Sequence, residues 1–215
     1  MKNLYLLLLI LLFTNIIFGQ EALTYKRHEV SLGFGGATSF EKNVFNVPDD
    51  AKASPEIEGN MAYYYHLGEQ YALGFHIYGF VQSKIHFMVS QNSIISKVNL
   101  DLSSFNLGLQ GRYFFSIQRF SPYVFTGLNM VSGSVTSKET GTLNHTGFSF
   151  CGGTGVSLKL GESFALSLEA IASLGSANWK QKPFLNSNGR EFNPSLLSLT
   201  LNLSYLWGDP EESQF

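Results

Sequence analysis

Residues 197–207 read LSLTLNLSYLW. Leu197, Leu199, Leu201, Leu203, Tyr205 and Trp207 alternate with Ser198, Thr200, Asn202 and Ser204, and Leu206 interrupts the polar row near its end. A stripe of period two is a strand with one apolar and one polar face. In a soluble sandwich the apolar face meets a core and the polar face meets water. In a membrane barrel the apolar face meets lipid and the polar face meets the lumen. The residue types that recur along the rest of the chain choose between the two.

The chain has 215 residues, a formal net charge of -2 and 14% charged residues, against about 25% in soluble domains. Its hydrophobic share, 44%, is ordinary, and 21 glycines help make up the difference. Mean hydropathy is +0.04, as expected where apolar residues are hidden in alternation. The near-neutral charge gives no support for nucleic-acid binding. One long apolar run exists, from Leu4 to Phe18, after Lys2 and before Gly19-Gln20. A basic start, a short apolar stretch and a small residue predict a secretory signal peptide over 1–19, cleaved after Gly19, with a single domain over 20–215. The run is shorter than the roughly 20 residues that a spanning helix needs. Cys151 is the only cysteine, so no internal disulfide is expected.

Strands are expected over 28–38, 56–67, 71–82, 98–115, 121–133, 146–160, 163–176 and 195–207. Tight connections fall at 68–70, 116–120 and 161–162; long ones fall at 39–55, 83–97, 134–145 and 177–194. Short turns on one side and long loops on the other suit an outer-membrane barrel with both termini in the periplasm. The apolar residues of 83–97 allow it to extend the flanking strands as a hairpin. Segment 121–133 fits neither parity cleanly. Segment 98–104 runs in the opposite phase to 105–115, so a bulge is expected near Ser103-Ser104.

The polar faces carry mostly Gly, Ser, Asn, Ala and Gln, as in Ala72, Gly74, Asn106, Gly108, Gln110, Ser149, Gly153 and Gly155. Small residues suit a confined interior, which about eight strands leave just wide enough for packed side chains. Tyr65, Tyr71, Tyr113, Phe115, Tyr123, Phe164, Tyr205 and Trp207 gather at strand ends next to the tight turns, where an interfacial aromatic girdle would sit. After signal removal, strands of about 9–11 residues allow eight with loops to spare. The predicted fold is all-β: an eight-stranded antiparallel up-and-down transmembrane barrel. An exported soluble sandwich or lipocalin-like barrel is the alternative.

The signal peptide, the Gly-aromatic strands SLGFGG, YALGFHIYGF, YVFTGLNM and GGTGVSL, and the closing LTLNLSYLW resemble the small OmpA-like and OmpX-like outer-membrane β-barrel domain family. The resemblance covers essentially the whole mature chain. It implies an eight-stranded barrel in the outer membrane of a Gram-negative cell, inserted by the barrel-assembly machinery. That machinery reads a last strand that usually ends in an aromatic residue. Trp207 is the match here, while the terminal Phe215 stands beyond a Gly-Asp-Pro break. No peptidoglycan-binding domain is expected after the barrel.

Arg112, Lys159, Glu29, Glu58 and Glu169 fall on the lumen parity of their strands. Unpaired charges in a desolvated interior cost several kcal/mol each, so these five are expected to pair as a lumen charge network. Glu169 is expected opposite Gly155, which leaves room for a long partner to reach it. A plug of ion pairs is the simpler reading, and a proton or ion path the other. His66 and His76 share lumen parity, but the 68–70 turn sets His76 opposite Ala62, so no metal site is expected. No cofactor is expected, and GFGG and CGGTG lack the strand-to-helix context of a phosphate loop. His145 is the one plausible base for an enzyme acting on lipid, and no local motif supports it. The expected function is a non-enzymatic structural or surface-interaction role through the outer loops. The alternatives are an outer-leaflet lipid-modifying enzyme and a narrow channel or secretion accessory. Expected partners are outer-membrane lipid and lipopolysaccharide; no ligand for the loops can be named.

Overall fold

The computed structural model describes residues 26–39, 52–53, 56–91, 94–137, 141–179, 191–192 and 196–208. The expected signal peptide and Phe215 lie outside these, as does most of the 39–55 and 177–194 connections. The chain forms β1 (His28–Ser39), β2 (Lys52–Ala53), β3 (Glu56–His66), β4 (Tyr71–Gln91), β5 (Ile94–Phe114), β6 (Phe120–Ser137), β7 (Gly141–Lys159), β8 (Phe164–Trp179), β9 (Glu191–Phe192) and β10 (Leu196–Trp207). Eight long strands pair antiparallel in sequence, and β10 closes the ring on β1, from His28↔Trp207 to Ser39↔Leu196. Closure leaves no edge among the paired segments, which is what a sheet needs in lipid.

Following the partners once round the ring gives its stagger. His28 leads to Tyr65, Leu73, Gly111, Thr126, Gly152, Ala172 and Leu197, and returns to β1 at Thr38, ten residues along. With strands about 4.8 Å apart and rising about 3.3 Å per residue, that shear tilts them by about 40° and sets a backbone radius of about 8 Å. Such a tube has room for side chains only.

Alternation sorts the residues. Along β10 every second residue is buried, from Leu196 to Leu206, and the others point out. Leu32, Phe34, Phe75, Leu109, Leu128, Phe150, Leu174 and Leu199 are exposed on the outer surface. This inversion of the soluble pattern is an apolar belt made for hydrocarbon. The belt has a sharp outer limit. Phe105, Met130, Phe148 and Leu174 are the last large apolar residues, and two positions further along the same strands stand Ser103, Ser132, Thr146 and Ser176.

Inside, packing follows one rule. A Cβ on Gly33, Gly35, Gly74, Gly133, Gly153 or Gly155 would come within 3 Å of the side chain of Asn202, Thr200, Tyr64, His145, Phe125 or Tyr123 respectively. Each is the glycine's direct cross-strand partner. A large side chain lies flat over its neighbour's glycine, and the lumen is filled. This resolves 121–133: Tyr123, Phe125, Asn129 and Val131 are buried, while Val124, Leu128 and Met130 point out.

Two expectations need correction. The irregularity near Ser103 lies on the partner strand, between Val81 and Lys84 of β4. β5 itself pairs with β6 without a break from Leu100 to Phe114. Its phase change instead coincides with the limit of the belt, where lipid no longer dictates the outer row. The 134–145 connection is mostly strand. Pairing continues to Ser137↔Gly141, helped by Thr136 and Thr142 hydroxyls 3.1 Å apart and a left-handed Gly141 with φ 77. The 83–97 segment extends β4 and β5 as a hairpin to Gln91↔Ile94. β4 and β5 have 21 residues each against 12 for β1 and β10, so this wall rises roughly 20 Å above the seam side.

Candidate functional site

The lower lumen is built around Arg112 of β5, buried among aromatic rings and carboxylates. Arg112 Nη2 donates to Glu169 Oε1 at 2.6 Å and Nη1 to Glu29 Oε1 at 3.2 Å. Its guanidinium carbon sits 3.6 Å from the centre of the Tyr64 ring and 5.1 Å from that of Tyr123. Tyr123 donates its hydroxyl to Glu169 Oε1 at 2.5 Å, and Tyr64 donates to Gln110 Oε1. Glu29 also accepts from Ser204 Oγ at 2.8 Å, with His66 Nε2 3.2 Å from its other oxygen. Charge-assisted bonds and stacked rings suit a guanidinium removed from water. One cation thus holds two carboxylates in a desolvated interior, where leaving any of them alone would be costly.

The glycine rule explains how the rings fit. Tyr64 lies over Gly74 and Tyr123 over Gly155. Gly155 is also the direct partner of Glu169. The space expected beside Glu169 is filled by Tyr123 from the other neighbouring strand. Tyr123, expected in the outer girdle, is fully buried. The missed signal was a glycine on the partner strand at both inward positions, Gly153 and Gly155, facing Phe125 and Tyr123.

The five expected charges do not form one network. Glu29, Arg112 and Glu169 come together. Glu58 is buried further along β3 toward the far end. Lys159 stands apart at the tight-turn end, where Nζ donates to the Ile117 carbonyl at 3.1 Å. With Arg119 Nε donating to the Lys159 carbonyl at 3.3 Å, it ties the 115–119 turn to β7 at the mouth. The remaining girdle residues sit at that same end. Tyr71 and Tyr113 rings are 5.1 Å apart, Tyr113 and Phe115 5.3 Å, Phe164 and Tyr205 5.3 Å, and Tyr205 and Trp207 5.7 Å. Tyr65 joins through a bond from Arg27 at 3.3 Å.

Two small cavities flank the Arg112 layer. The one above it has about 20 Å³ for water and is bordered by Glu58, His76, Tyr78 and Asn202. The one below has about 40 Å³ and is bordered by Glu29, His66, Phe114 and Lys159. A water needs about 10–15 Å³, so each holds one to a few. The Arg112 layer lies between them. His66 bonds Glu29 and His76 stacks on Tyr78; among the described residues no group of three or more His, Cys, Asp or Glu could hold a metal ion. His145 is fully buried with its ring against Gly133.

A closed ring of eight antiparallel strands, a filled polar lumen and an apolar outer belt define the fold of the small outer-membrane barrels. The chain is similar in structure to the outer membrane protein OprG from Pseudomonas aeruginosa, with a TM-score of 0.54 and 12% identity over 87% of this chain and 98% of that one. It is similarly close to Neisserial surface protein A, with a TM-score of 0.52 and 13% identity over 84% of this chain and 97% of that one. No protein-family model matches the sequence, and no curated protein is detectably similar to it.

Proposed function

We propose that this protein resides in the outer membrane, surrounded by lipid and lipopolysaccharide after insertion by the barrel-assembly machinery. Its molecular work is done by the strands and loops that project beyond the apolar belt: a structural or surface-interaction role, without catalysis. The observation that carries this is the packed lumen. The Arg112 layer leaves water-sized cavities on either side, which argues against a standing channel. The burial of His145 argues against a base reaching outer-leaflet lipid. The projecting hairpin supports the surface reading. Beyond the break in β4 the two strands stay paired from Lys84↔Asp101 to Gln91↔Ile94, which carries backbone well past the apolar belt.

The test compares a deletion strain with a strain whose hairpin 84–101 is replaced by Asn-Gly. Surface adhesion, lipid A chemistry by mass spectrometry and small-solute permeability are measured in both. Trimming the hairpin is expected to reproduce the adhesion change of the deletion and leave the other two unaltered. Altered lipid A, or permeability that falls on deletion, overturns the surface reading.

A further inference from the structure

The outer surface of β4 to β8 carries two neighbouring cross-strand rows of apolar side chains. One runs from Phe75 on β4 through Leu128 to Leu174 on β8, the next from Leu107 on β5 through Met130 to Ser176 on β8. Together they line an open groove of about 830 Å³, with Ser176 at its β8 end. The rows climb as they cross the sheet, because the strands tilt. Four steps of about 4.8 Å at a tilt of about 40° raise the groove by about 12 Å from β4 to β8. It ends at Leu174, the last large apolar residue of its strand. That rise is close to the depth of one leaflet, half of a hydrocarbon core about 30 Å thick. The chain that follows this groove is therefore an acyl chain of the outer leaflet.

Directly beyond the groove the same outward face turns polar without becoming charged. Ser132 pairs with Thr146, Ser134 with Asn144 and Thr136 with Thr142. Ser103 Oγ lies 2.9 Å from Ser134 Oγ. Glu169 and Lys159 are the only charged residues in the sequences of β6, β7 and β8. Glu169 is in the lumen and Lys159 is at the tight-turn end. Phosphate is held best by cations through charge-assisted bonds, and these three strands present none on this face. A serine or threonine hydroxyl and an asparagine amide each donate and accept, which matches the hydroxyls of a sugar. Ser176 belongs to the groove and borders the hydroxyl face, opposite Phe148 and two positions from Thr146 along the pairing. One molecule with an acyl chain and an uncharged sugar head would touch both.

We propose that this side of the barrel seats a sugar-bearing lipid of the outer leaflet, with one acyl chain in the oblique groove and the sugar against Ser132, Thr146 and Ser176. The groove supplies depth and direction, and the hydroxyl face supplies the choice of head. Selection is for sugar over phosphate. The assignment rests on the outer-membrane placement proposed above, which cell fractionation tests separately; binding is measured on the purified chain.

The test is a competition between heads on the same chains. The folded full chain in lauryldimethylamine oxide micelles is offered monogalactosyldiacylglycerol, phosphatidylglycerol and phosphatidylcholine of matched acyl length in equal amounts. Native mass spectrometry counts the lipid retained, and the shift of the unboiled band on a gel checks that each variant is folded. The galactolipid is expected to be retained about fivefold over either phospholipid, the size that one net hydrogen bond gives. Ser132→Ala with Thr146→Ala is expected to bring the galactolipid down to the level of phosphatidylcholine and leave phosphatidylcholine unchanged. Thr136→Ala with Thr142→Ala removes two hydroxyls from the same face further from the groove, and is expected to keep the preference. Free methyl galactoside in excess is expected not to displace the galactolipid. Equal retention of the three lipids, or a preference for phosphatidylglycerol, overturns the proposal. So does a preference that survives Ser132→Ala with Thr146→Ala, or one that falls as far in the Thr136→Ala, Thr142→Ala chain. Displacement by the free galactoside would make the sugar alone sufficient and overturn the part given to the groove.

Discussion

The two faces of each strand obey different rules, and the glycines show it most plainly. Gly152 and Gly153 are neighbours on β7. A Cβ on Gly153, inside, would run into the Ala170 carbonyl oxygen and lie 2.5 Å from the Phe125 ring. A Cβ on Gly152, outside, would meet nothing nearer than 3.5 Å. Outward Gly59 and Gly111 have open space. Within the lumen, residue size is dictated by the neighbour across the strand. On the outside only polarity is dictated, by lipid up to Phe105, Met130, Phe148 and Leu174, and by water beyond. The interior is a jigsaw and the exterior a solvent filter.

The comparison breaks most visibly at Arg112. Arg112→Met leaves Glu29 and Glu169 buried without their cation, and removing one partner of a buried ion pair costs about 3–5 kcal/mol. Urea denaturation in detergent, followed by the shift of the unboiled band on a gel, should show that loss. The triple variant without any of the three charges should recover much of it, because no uncompensated charge remains. A triple variant as unstable as Arg112→Met would mean that shape rather than charge holds the layer together.

The outer face has its own largest effect. Leu201 points out and Asn202, beside it, is buried over Gly33. An arginine on the lipid face near mid-belt costs about 2–4 kcal/mol. Leu201→Arg should therefore impair folding into vesicles far more than into loose detergent micelles. Brominated lipid should quench Leu201→Trp and spare Asn202→Trp, in a chain from which both native tryptophans have been removed. Equal quenching at the two sites contradicts the face assignment.

The solvent filter is local, so it could be read from the sequence. Alternation in 197–207 and 105–115 needs no knowledge of the partner strand. The jigsaw is not local. Segment 121–133 fits neither parity cleanly because the residues that admit Tyr123 and Phe125, Gly155 and Gly153, stand on the next strand, and only the register shows them facing one another. The same holds for the charges. Glu29, Arg112 and Glu169 could be placed on the lumen side by parity, but which of the five would meet depends on the shear of the ring. Shear is a property of the closed ring that no single strand reports. The bulge expected in β5 proves to be a break in β4 for a related reason. A phase change in β5 marks the end of the lipid belt as readily as it marks a bulge, and the two can be separated only once the partner's register is known.

The smallest expected effects separate the two rules most cleanly. Gly153→Ala inserts a methyl against Phe125 and the Ala170 carbonyl; overpacking of this kind costs about 1–3 kcal/mol. Gly152→Ala adds the same methyl one residue away, on the lipid side. There it meets no obstacle, limits the freedom of the unfolded chain and adds apolar surface to the belt, so it should stabilise by about 0.4–1 kcal/mol. Chemistry, strand and depth are nearly identical in the two variants; only the face differs. Urea midpoints measured side by side in the same detergent should therefore move in opposite directions. If both variants lose stability, the outward glycine has a role that the space around it does not reveal. If both gain, Phe125 can yield and the interior is looser than a jigsaw.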